Sequence, residues 1–375
     1  MKIVFTGGGT GGHFYPIIAV AQEIRQLVRD EKLIDPTLYF LAPDPYNRGI
    51  LYDNAIIYRK VMSGKQRTYS SFLNLIDKFK LVLGGVQAVW TVFWIYPDVI
   101  FSKGGWGSVP VVFAGKLLGI PIVIHESDSA PGRANQWASK YAKKIAISYP
   151  DAADYFDKSK VALTGNPVRN EIEQPAVEGG HEYLGFEKTI PTLLILGGSQ
   201  GARFINDAII DVLPQLLERY QVIHQVGKAN IQEVKDLTDA VLLNSDNKDR
   251  YKLFDYLNDL GMKMAAGASQ LVISRAGSTI FEIAAWNKPS IIIPITDTNN
   301  DHQRKNAYNY LRSGACIVIE ENNLTPEILE SEIDRLFDDF TKLEEMSQSA
   351  KGFYKKGADK LIAKEIISTL IKHES

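Results

Sequence analysis

Residues 3–13 read IVFTGGGTGGH, a short apolar run that leads into a glycine-rich turn and a histidine. The run at residues 3–6 predicts a buried strand, and the amphipathic stretch at residues 17–28 predicts the helix that follows it. A helix that begins at such a turn presents free backbone N–H groups and the positive end of its dipole. Because glycine lets an anion approach the backbone closely, the turn predicts a phosphate-binding site.

A second turn of the same kind opens the other half of the chain. Residues 192–203 read TLLILGGSQGAR, so glycines again follow a predicted strand and precede a helix. No glycine-lysine-serine or glycine-lysine-threonine triplet closes either turn, which excludes a Walker A loop. The two turns predict two phosphate groups that face each other across a cleft between the halves.

Short apolar runs alternate with helical patterns along most of the chain, which is typical of parallel sheets covered by helices on both faces. Strands are predicted at residues 3–6, 37–42, 55–59, 99–102, 122–126, 144–148, 160–164, 192–196, 221–226, 251–254, 271–274, 290–294 and 316–320. The mixed segment at residues 170–191 interrupts the alternation. We therefore predict an α/β fold of two Rossmann-like, doubly wound domains at residues 1–166 and 167–351, with a final helix at about residues 352–375 packing back on the first domain.

The bulk composition excludes several classes of protein. The 375 residues include 42 basic and 44 acidic side chains, a net charge of −2, which gives no support to nucleic-acid binding through the whole surface. The single cysteine, Cys316, excludes an internal disulfide and a cysteine-rich zinc site. The most apolar stretch, residues 81–96, is shorter than a bilayer span, so we do not expect a transmembrane helix.

Further motifs occur in a fixed order along nearly the whole chain. They read GGTGGH at residues 8–13, HE at 125–126 with Asn135 behind it, TGNPVR at 164–169, GGSQGAR at 197–203, SRAG at 274–277 with Glu282, and DHQRKNA at 301–307. In this combination the chain closely resembles the MurG family of GT-B glycosyltransferases. That family transfers N-acetylglucosamine, with inversion, from UDP-N-acetylglucosamine to the muramyl sugar of undecaprenyl-pyrophosphoryl-MurNAc-pentapeptide (lipid I), which gives lipid II for peptidoglycan synthesis.

The resemblance implies the same hexosyl transfer for this chain, as a peripheral protein at the cytoplasmic face of the cell membrane. The partners that it implies are UDP-N-acetylglucosamine, the undecaprenyl-pyrophosphate-linked acceptor, an anionic membrane surface and proteins of cell-wall synthesis, but no nucleic acid. No cofactor and no metal ion is expected, since the sequence offers no Asp-x-Asp at a strand end. The alternatives are a transferase of this fold acting on another lipid acceptor, a non-catalytic nucleotide-sugar-binding scaffold, and a nicotinamide-dependent enzyme.

An inverting displacement needs a base beside the attacking hydroxyl and stabilisation of the departing diphosphate. His13 stands at the mouth of the first turn, and histidine titrates close enough to neutrality to act as a general base or a proton relay. The alternative is that His13 only positions the acceptor or hydrogen-bonds a phosphate. Glu126 and Asp128, at and after the end of a predicted strand, are the rival catalytic bases.

The resemblance assigns UDP-N-acetylglucosamine chiefly to the second domain. Glu282 is expected to accept hydrogen bonds from the ribose hydroxyls, and a charge that only favours the helix dipole is the alternative. The backbone at Leu257 is expected to meet the uracil, and His302 and Gln303 the sugar hydroxyls, unless these two form a solvated helix face. The other donor contacts are expected at Thr10, Gly11, Gly12, Asp128, Arg169, Ser199, Gln200, Gly201, Ser278 and Thr279.

The acceptor is assigned to the first domain. Its expected contacts are Gly12, His13, Gly104, Gly105, Trp106 and Asn135. Three features depart from the usual family pattern. Trp106 and Gly107 stand where a tyrosine-valine pair is usual, Asp128 stands where many members have asparagine, although aspartate also fits, and the segment from Gly277 to Glu282 is one residue shorter than usual. Arg169, near the domain junction, either approaches the nucleotide or forms a hinge salt bridge.

Apolar side chains recur at spacings of four and three from Phe72 to Phe93, which predicts a helix with one apolar stripe. Core packing is the first explanation of such a stripe. Other apolar residues lie off the stripe, however, and basic residues flank it, which favours contact with an anionic bilayer surface. The membrane contact is therefore predicted at Phe72, Leu75, Phe79, Lys80, Trp90 and Trp94.

Overall fold

A computed structural model describes residues 1–64, 73–198, 201–296 and 301–374, and for residues 73–80 and 372–374 it describes the backbone alone. The chain divides into two compact units. The first unit combines Met1–Arg169 with Lys355–Ser375, and the second unit is Asn170–Tyr354. Each unit is built around one parallel sheet, so the predicted two-domain α/β architecture is confirmed.

The first unit contains a seven-stranded sheet. Its strands are β1 (Lys2–Thr6), β2 (Thr37–Ala42), β3 (Ile56–Lys60), β4 (Val99–Ser102), β5 (Ile122–Glu126), β6 (Lys144–Ile147) and β7 (Val161–Leu163). Their spatial order is β3-β2-β1-β4-β5-β6-β7, and every pair is parallel. The helices of this unit begin with α1 (Gly11–Asp30), α2 (Arg48–Asp53), α3 (Leu73–Ile95), α4 (Val109–Leu117) and α5 (Arg133–Ala138).

The central strands of this sheet are buried on both faces, because alternate side chains enter different cores. In β1, Ile3 and Phe5 belong to the core that also contains side chains of α1. Val4, between them, belongs to the core that contains side chains of α3 and α4. Burial on both faces explains why these strands are continuous apolar runs rather than alternations of apolar and polar residues.

Helix α3 turns a different face to the core from the one that its apolar stripe predicted. The buried residues include Gly84, Ala88 and Val92, and a Cβ atom on Gly84 would lie 1.9 Å from the carbonyl oxygen of Met62. Only glycine fits where α3 comes this close to the Met62 backbone, so the face of α3 that carries Gly84 meets the core. The larger side chains on the other face point outward. The expectation of core packing is therefore wrong for the described part of the stripe. That exposed part consists of Leu83, Val86, Trp90 and Phe93.

The second unit contains a six-stranded sheet. Its strands are β8 (Thr192–Leu196), β9 (Gln221–Gln225), β10 (Tyr251–Phe254), β11 (Leu271–Ser274), β12 (Ser290–Ile292) and β13 (Cys316–Val318). Their order is β10-β9-β8-β11-β12-β13, again all parallel. The helices of this unit are α6 (Asn170–Glu173), α7 (Gly180–Leu184), α8 (Arg203–Arg219), α9 (Ile231–Val241), α10 (Asp259–Ala268), α11 (Thr279–Ala285), α12 (His302–Arg312), α13 (Pro326–Asp338) and α14 (Phe340–Phe353).

The chain returns to the first unit through a final helix, α15 (Ala358–Glu374). Its side chains Ile362 and Ile366 share a core with Ile17 and Ile24 of α1. A helix from about residue 352 was predicted, but residues 352–353 end α14 and Gly357 adopts a φ of +80°. Glycine tolerates this left-handed conformation without steric cost, so the path between the two helices bends there and α15 begins only afterwards.

In both sheets the strand order reverses between two neighbouring central strands. These neighbours are β1 and β4 in the first sheet, and β8 and β11 in the second. The loops that follow them lie side by side at the carboxyl edge, where open α/β sheets bind their ligands. Because the glycine-rich turns follow β1 and β8, each unit carries one of them at its own ligand-binding edge.

Candidate functional site

The first glycine-rich turn connects β1 to α1, which begins at Gly11. Thr10 is the N-cap residue, but its hydroxyl does not cap the helix; Oγ1 lies 2.8 Å from Nδ1 of His13 instead. This contact orients the imidazole and makes Nε2 the ring nitrogen that can exchange a proton with a ligand. The first N–H groups of α1, which lack intrahelical partners, lie at the same turn.

The turn after β4 packs directly against the first turn. Gly104 and Gly105 adopt φ values of +86° and +78°, which residues with a side chain rarely adopt. A Cβ atom on Gly105 would lie 2.8 Å from Cα of Gly8 and 3.6 Å from Cε1 of His13. Both the backbone conformation and the available space demand glycine, so the two turns and His13 form one continuous surface.

The carboxylate of Glu126 organises the loop after β5. Its Oε1 accepts a hydrogen bond of 2.9 Å from the N–H of Asp128, and its Oε2 accepts one of 3.2 Å from the N–H of Gly132. Nδ2 of Asn135 donates a third, of 2.9 Å, to Oε2. The buried Asn135 also lies against Gly104, where an added Cβ atom would be 2.7 Å from its amide. Both carboxylate oxygens of Glu126 are engaged, so this residue positions Asp128 and Asn135.

His125 and Arg169 are buried residues at the carboxyl edge of the first sheet. Nε2 of His125 lies 3.0 Å from the carbonyl oxygen of Gly165 and 3.2 Å from Oγ of Ser148. Burial, together with the charge of a nearby lysine, lowers the pKa of His125 well below its usual value, so its imidazole is neutral at pH 7. The guanidinium group of Arg169 lies 3.7 Å from the ring centroid of Tyr15 on α1, a cation–π contact.

Lys103 is a component of this site that the motifs did not single out. It follows β4, is 1% exposed, and its Nζ has no hydrogen-bond partner among the described residues. A Cβ atom on Gly7 would lie 3.5 Å from the Cβ atoms of both His13 and Lys103, so Gly7 is flanked by the two side chains. The sequence did contain one signal, because Lys103 stands between an apolar strand and a glycine pair. Lysine is almost never fully buried, so a lysine in that position is unusual.

Burial and charge set the protonation states around the first turn. Burial, assisted by the Lys103 cation and opposed by Asp128, lowers the pKa of His13 to about 4. Burial and the Asp128 carboxylate raise the pKa of Glu126 to about 7. Burial lowers the pKa of Lys103 to about 8, against the attraction of Glu126 and Asp128. At pH 7, His13 is therefore a neutral imidazole beside a buried ammonium group.

The second glycine-rich turn connects β8 to α8. Gly201 adopts a φ of +80°, and a Cβ atom on it would lie 2.5 Å from the carbonyl oxygen of Val226. Nδ2 of Asn230 donates to the same oxygen at 2.9 Å, so the turn is held against the end of β9. A helix of 17 residues begins immediately afterwards and adds its dipole. Ser199 and Gln200, two predicted donor contacts, lie outside the described residues.

The loop after β11 lies beside that turn at the carboxyl edge of the second sheet. Ser278 precedes α11, and the half-buried Thr279 and Glu282 lie in its first turn. Nδ2 of Asn306 on α12 donates to the carbonyl oxygen of Ala276 at 3.0 Å, which ties α12 to this loop. The structure therefore brings the predicted ribose contact and the start of α12 to the same edge.

The first residues of α12 are His302 and Gln303. Oε1 of Gln303 accepts a hydrogen bond of 3.2 Å from the N–H of Ile295, so its amide N–H groups are the part that can donate to a ligand. Leu257, the predicted uracil contact, lies between β10 and α10 and is buried.

A buried ion pair braces the loops of the second unit. Nη2 of Arg275 lies 2.6 Å from Oε1 of Glu321, and the two side chains are 12% and 7% exposed. Arg275 also donates to the carbonyl oxygen of Ile293, and Oε2 of Glu321 accepts from the N–H of Thr296. These contacts join the segments that follow β11, β12 and β13.

Helices α3 and α4 border an apolar groove with a cavity volume of about 760 Å³. Trp90, which lines the groove, and Trp94 are 65% and 66% exposed and pack edge to face. Within the described ranges, no helix is long and apolar enough to cross a bilayer. Phe72 and the side chains of Leu75, Phe79 and Lys80 lie outside the described residues. The groove is lined by Leu81, Val82, Gly85, Val86, Val89, Trp90, Phe93, Val109, Pro110, Phe113, Leu117 and Trp137.

Comparison with known proteins identifies the family. Residues 3–147 match the glycosyltransferase family 28 N-terminal domain, and residues 192–365 match its C-terminal domain. A protein of Bacillus cereus, called UDP-N-acetylglucosamine–N-acetylmuramyl-(pentapeptide) pyrophosphoryl-undecaprenol N-acetylglucosamine transferase 2, is 36% identical over 376 residues, covering 100% of this chain and 99% of its own length. The chain belongs to the MurG family. A Clostridium kluyveri relative whose name differs only in lacking the numeral is 35% identical over 89% of this chain and 91% of its own length.

The crystal structure of Acinetobacter baumannii MurG superposes with a TM-score of 0.70 at 21% identity, covering 98% of this chain and 99% of that chain. At this level of identity the likeness shows the shared GT-B fold alone.

The MurG-family motifs separate into two clusters, one in each unit. The first cluster brings together His13, Gly104, Gly105, Asp128 and Asn135, and the neighbouring Trp106 follows Gly105. The second cluster gathers Gly201, Ser278, Glu282 and Gln303 at the carboxyl edge of its own sheet. Lys103 belongs to the first cluster although none of the quoted family motifs contains it.

Proposed function

We propose that this chain transfers N-acetylglucosamine, with inversion, from UDP-N-acetylglucosamine to the muramyl sugar of undecaprenyl-pyrophosphoryl-MurNAc-pentapeptide, giving lipid II. The observation that carries this proposal is the imidazole of His13, oriented by Thr10 and packed against the glycine pair 104–105 that follows β4. The names of relatives that match 89% to 100% of the chain support the same reaction.

In this reaction a hydroxyl oxygen of the muramyl sugar forms a bond to C1 of N-acetylglucosamine. The bond from C1 to the UDP oxygen breaks, and its electron pair leaves with the diphosphate. The hydroxyl proton passes to Nε2 of His13, whose Nδ1 is held by Thr10. Anionic substrates bound at the turn raise the pKa of His13 from the low value of the free site towards the working pH.

Glu126 and Asp128 take different parts in this scheme. The three hydrogen bonds that Glu126 accepts favour a positioning role over that of a base. Asp128, beside the turn, is the remaining carboxylate and opposes the lowering of the His13 pKa. The acceptor contacts proposed are Gly12, His13, Gly104, Gly105 and Trp106, with Asn135 as their buried support.

The second unit takes the donor in this proposal. The turn before α8 stabilises the departing diphosphate with backbone N–H groups and the helix dipole. Glu282 accepts from the ribose hydroxyls, the backbone at Leu257 meets the uracil, and His302 and Gln303 contact the sugar. The remaining donor contacts proposed are Thr10, Gly11, Gly12, Asp128, Arg169, Ser199, Gln200, Gly201, Ser278 and Thr279.

The apolar groove of the first unit is the proposed membrane contact at the cytoplasmic face. Exposed apolar patches of this kind mark interaction sites, and tryptophan favours the bilayer interface. Lys116 of α4 and Lys140, both exposed, supply basic charge near the groove-lining Leu117 and Trp137. Phe72, Leu75, Phe79 and Lys80 stay part of this proposal, as do partner proteins of cell-wall synthesis.

The experiment that tests the function uses the purified chain with labelled UDP-N-acetylglucosamine and a short-chain lipid I analogue. We expect transfer that survives EDTA and falls by about 10²-fold or more in His13→Ala. A diacylglycerol acceptor serves as the control substrate, since preferential transfer to it would assign the chain to a different lipid acceptor. Donor binding without transfer to either acceptor would contradict a catalytic role.

A further inference from the structure

Lys103 presents a physical problem that the motifs of the site do not explain. Its ammonium group is buried, and Nζ has no hydrogen-bond partner among the described residues. Burying an ammonium group that makes no hydrogen bond is unfavourable even where carboxylates attract it, and an apolar side chain of similar volume would fill the same space without that penalty. A purely structural role therefore does not account for a lysine at this position.

The charged and titratable groups around Lys103 come from three elements. His13 lies on α1, His125 and Glu126 on β5, and Asp128 on the loop after β5. The Lys103 charge disfavours protonation of both histidines and favours ionisation of Glu126. His125 is occupied by the carbonyl oxygen of Gly165, so His13 is the neighbour whose proton transfer the charge can control.

The substrates explain why such a charge is useful, and this step rests on the proposed function. The donor and the acceptor each carry a diphosphate. Negative charge near a histidine raises its pKa. Two bound diphosphates therefore favour an imidazolium, which cannot accept the hydroxyl proton. A fixed cation beside His13 offsets this effect.

We propose that Lys103 is a positioning residue of the transfer reaction, whose buried ammonium group keeps the His13 imidazole unprotonated while the anionic substrates are bound. The geometry that carries the proposal is the position of Gly7, because a Cβ atom added there would lie 3.5 Å from the Cβ atoms of both His13 and Lys103. Lys103 acts through His13 and does not itself touch the reacting atoms.

The test is a histidine titration by NMR on the full chain, free and with UDP, in wild type and Lys103→Met. The His13 signal is assigned by its loss in His13→Gln. We expect a wild-type midpoint below the ordinary value of about 6.5, and a rise of about one pH unit when the cation is removed. The pKa of the acid limb in the pH–kcat profile should rise with the midpoint. Lys103→Met should therefore lose more activity at pH 6 than at pH 8.

Lys288→Met is the matched control, because Lys288 is a partly buried lysine of the second unit that donates to the carbonyl oxygen of Ser269. It should leave the His13 midpoint unchanged. If Lys103→Met does not fold, Lys103→Gln repeats the measurement. A folded Lys103→Met or Lys103→Gln variant in which His13 titrates at the wild-type midpoint would overturn the proposal. A His13 midpoint at or above the ordinary histidine value in the wild type would also overturn it.

The titration separates this inference from the proposed function, because it requires no turnover. A shift of the midpoint in a chain that transfers no sugar would support the relation between Lys103 and His13 and overturn the proposed function. An active enzyme with an unshifted midpoint would overturn the inference alone.

Discussion

Oγ1 of Thr10 and Nδ1 of His13 lie 2.8 Å apart at the start of α1. The two residues are one helical turn apart, so the contact forms without any distant part of the chain. When Nδ1 carries the hydrogen and donates it to Thr10, Nε2 carries the lone pair that a general base needs. The hydroxyl therefore holds the ring in place and can accept the Nδ1 hydrogen of the tautomer that a base requires.

Replacing Thr10 by valine tests this contact with little change in shape. We expect kcat to fall about tenfold with little change in KM, because the ring loses its orienting partner. The stability should hardly change, since the Thr10 side chain does not cap α1. Steady-state kinetics with a lipid I analogue measures the effect. Thr238→Val, which removes a buried helical hydroxyl of the second unit, is the control, and equal kinetics in both variants would contradict the role of Thr10.

Gly105→Ala tests the contact between the two turns of the first unit. Gly119 has a similar φ, +71°, but has open space around an added Cβ atom, whereas Gly105 does not. We expect Gly119→Ala to lower the free energy of unfolding by about 1 kcal/mol through backbone strain alone, with activity retained. Gly105→Ala should lose more stability and most of the activity. Urea unfolding and transfer assays compare them, and equal losses would show that the turns do not need their close approach.

The raised pKa of Glu126 predicts a pH dependence of stability. The pKa of Glu126 in the folded state, about 7, lies above the ordinary value of 4.5, so the folded state binds the extra proton between these two pH values. Stability therefore decreases as the pH rises through this window. His13, with a lowered pKa, contributes the opposite slope, so the comparison must isolate Glu126.

Glu126→Gln removes that titration. The wild type should lose free energy of unfolding relative to Glu126→Gln as the pH rises from 4.5 to 7, and the difference should then level off. Urea unfolding of both proteins across this range measures the difference. A difference that does not vary with pH would show that the carboxyl group titrates normally.

Because the ion pair of Arg275 and Glu321 is buried, removing one of its partners should cause a large loss of stability. Arg275→Met leaves the Glu321 carboxylate without its counter-charge and should lower the free energy of unfolding by about 3–5 kcal/mol. It should also raise KM for the donor, because the pair braces three loops of the second unit. Adding Glu321→Gln should restore part of the stability.

The control for this pair is Arg219→Met, which breaks the surface ion pairs of Arg219 with Asp334 and Asp338. Its loss should stay below about 1 kcal/mol. Thermal unfolding and donor kinetics compare the variants. Similar losses from Arg275→Met and Arg219→Met would mean that burial adds nothing to the Arg275 pair.

Trp90→Ala combined with Trp94→Ala tests the apolar groove of the first unit. We expect weaker binding to vesicles that contain phosphatidylglycerol, with transfer to a water-soluble acceptor analogue preserved, because both rings are exposed and neither belongs to the cluster around His13. Vesicle sedimentation measures the binding. Phe340→Ala removes an exposed aromatic ring of the second unit and should leave binding unchanged. Unaltered sedimentation of the double variant would exclude these rings as the membrane contact.

Much of the fold could be predicted from local patterns. Buried parallel strands are continuous apolar runs bounded by turn residues, and all thirteen predicted runs correspond to strands. The glycine motifs mark turns at the carboxyl edges of both sheets, because a close backbone approach and a left-handed φ admit few other residues. The exposed face of α3 was predicted less well, since periodicity shows which side chains share a face but not which face meets the core.

The amino-acid sequence by itself determined the family and the two sheets. It also singled out His13 and the glycine turns as candidate site residues. Only the tertiary structure decided that Glu126 is held by Asp128, Gly132 and Asn135, and that Lys103 is buried beside His13. The reason is that strand and helix formation depends on neighbours along the chain. The burial and charge of a side chain depend instead on strands β1, β4 and β5, which meet only after folding.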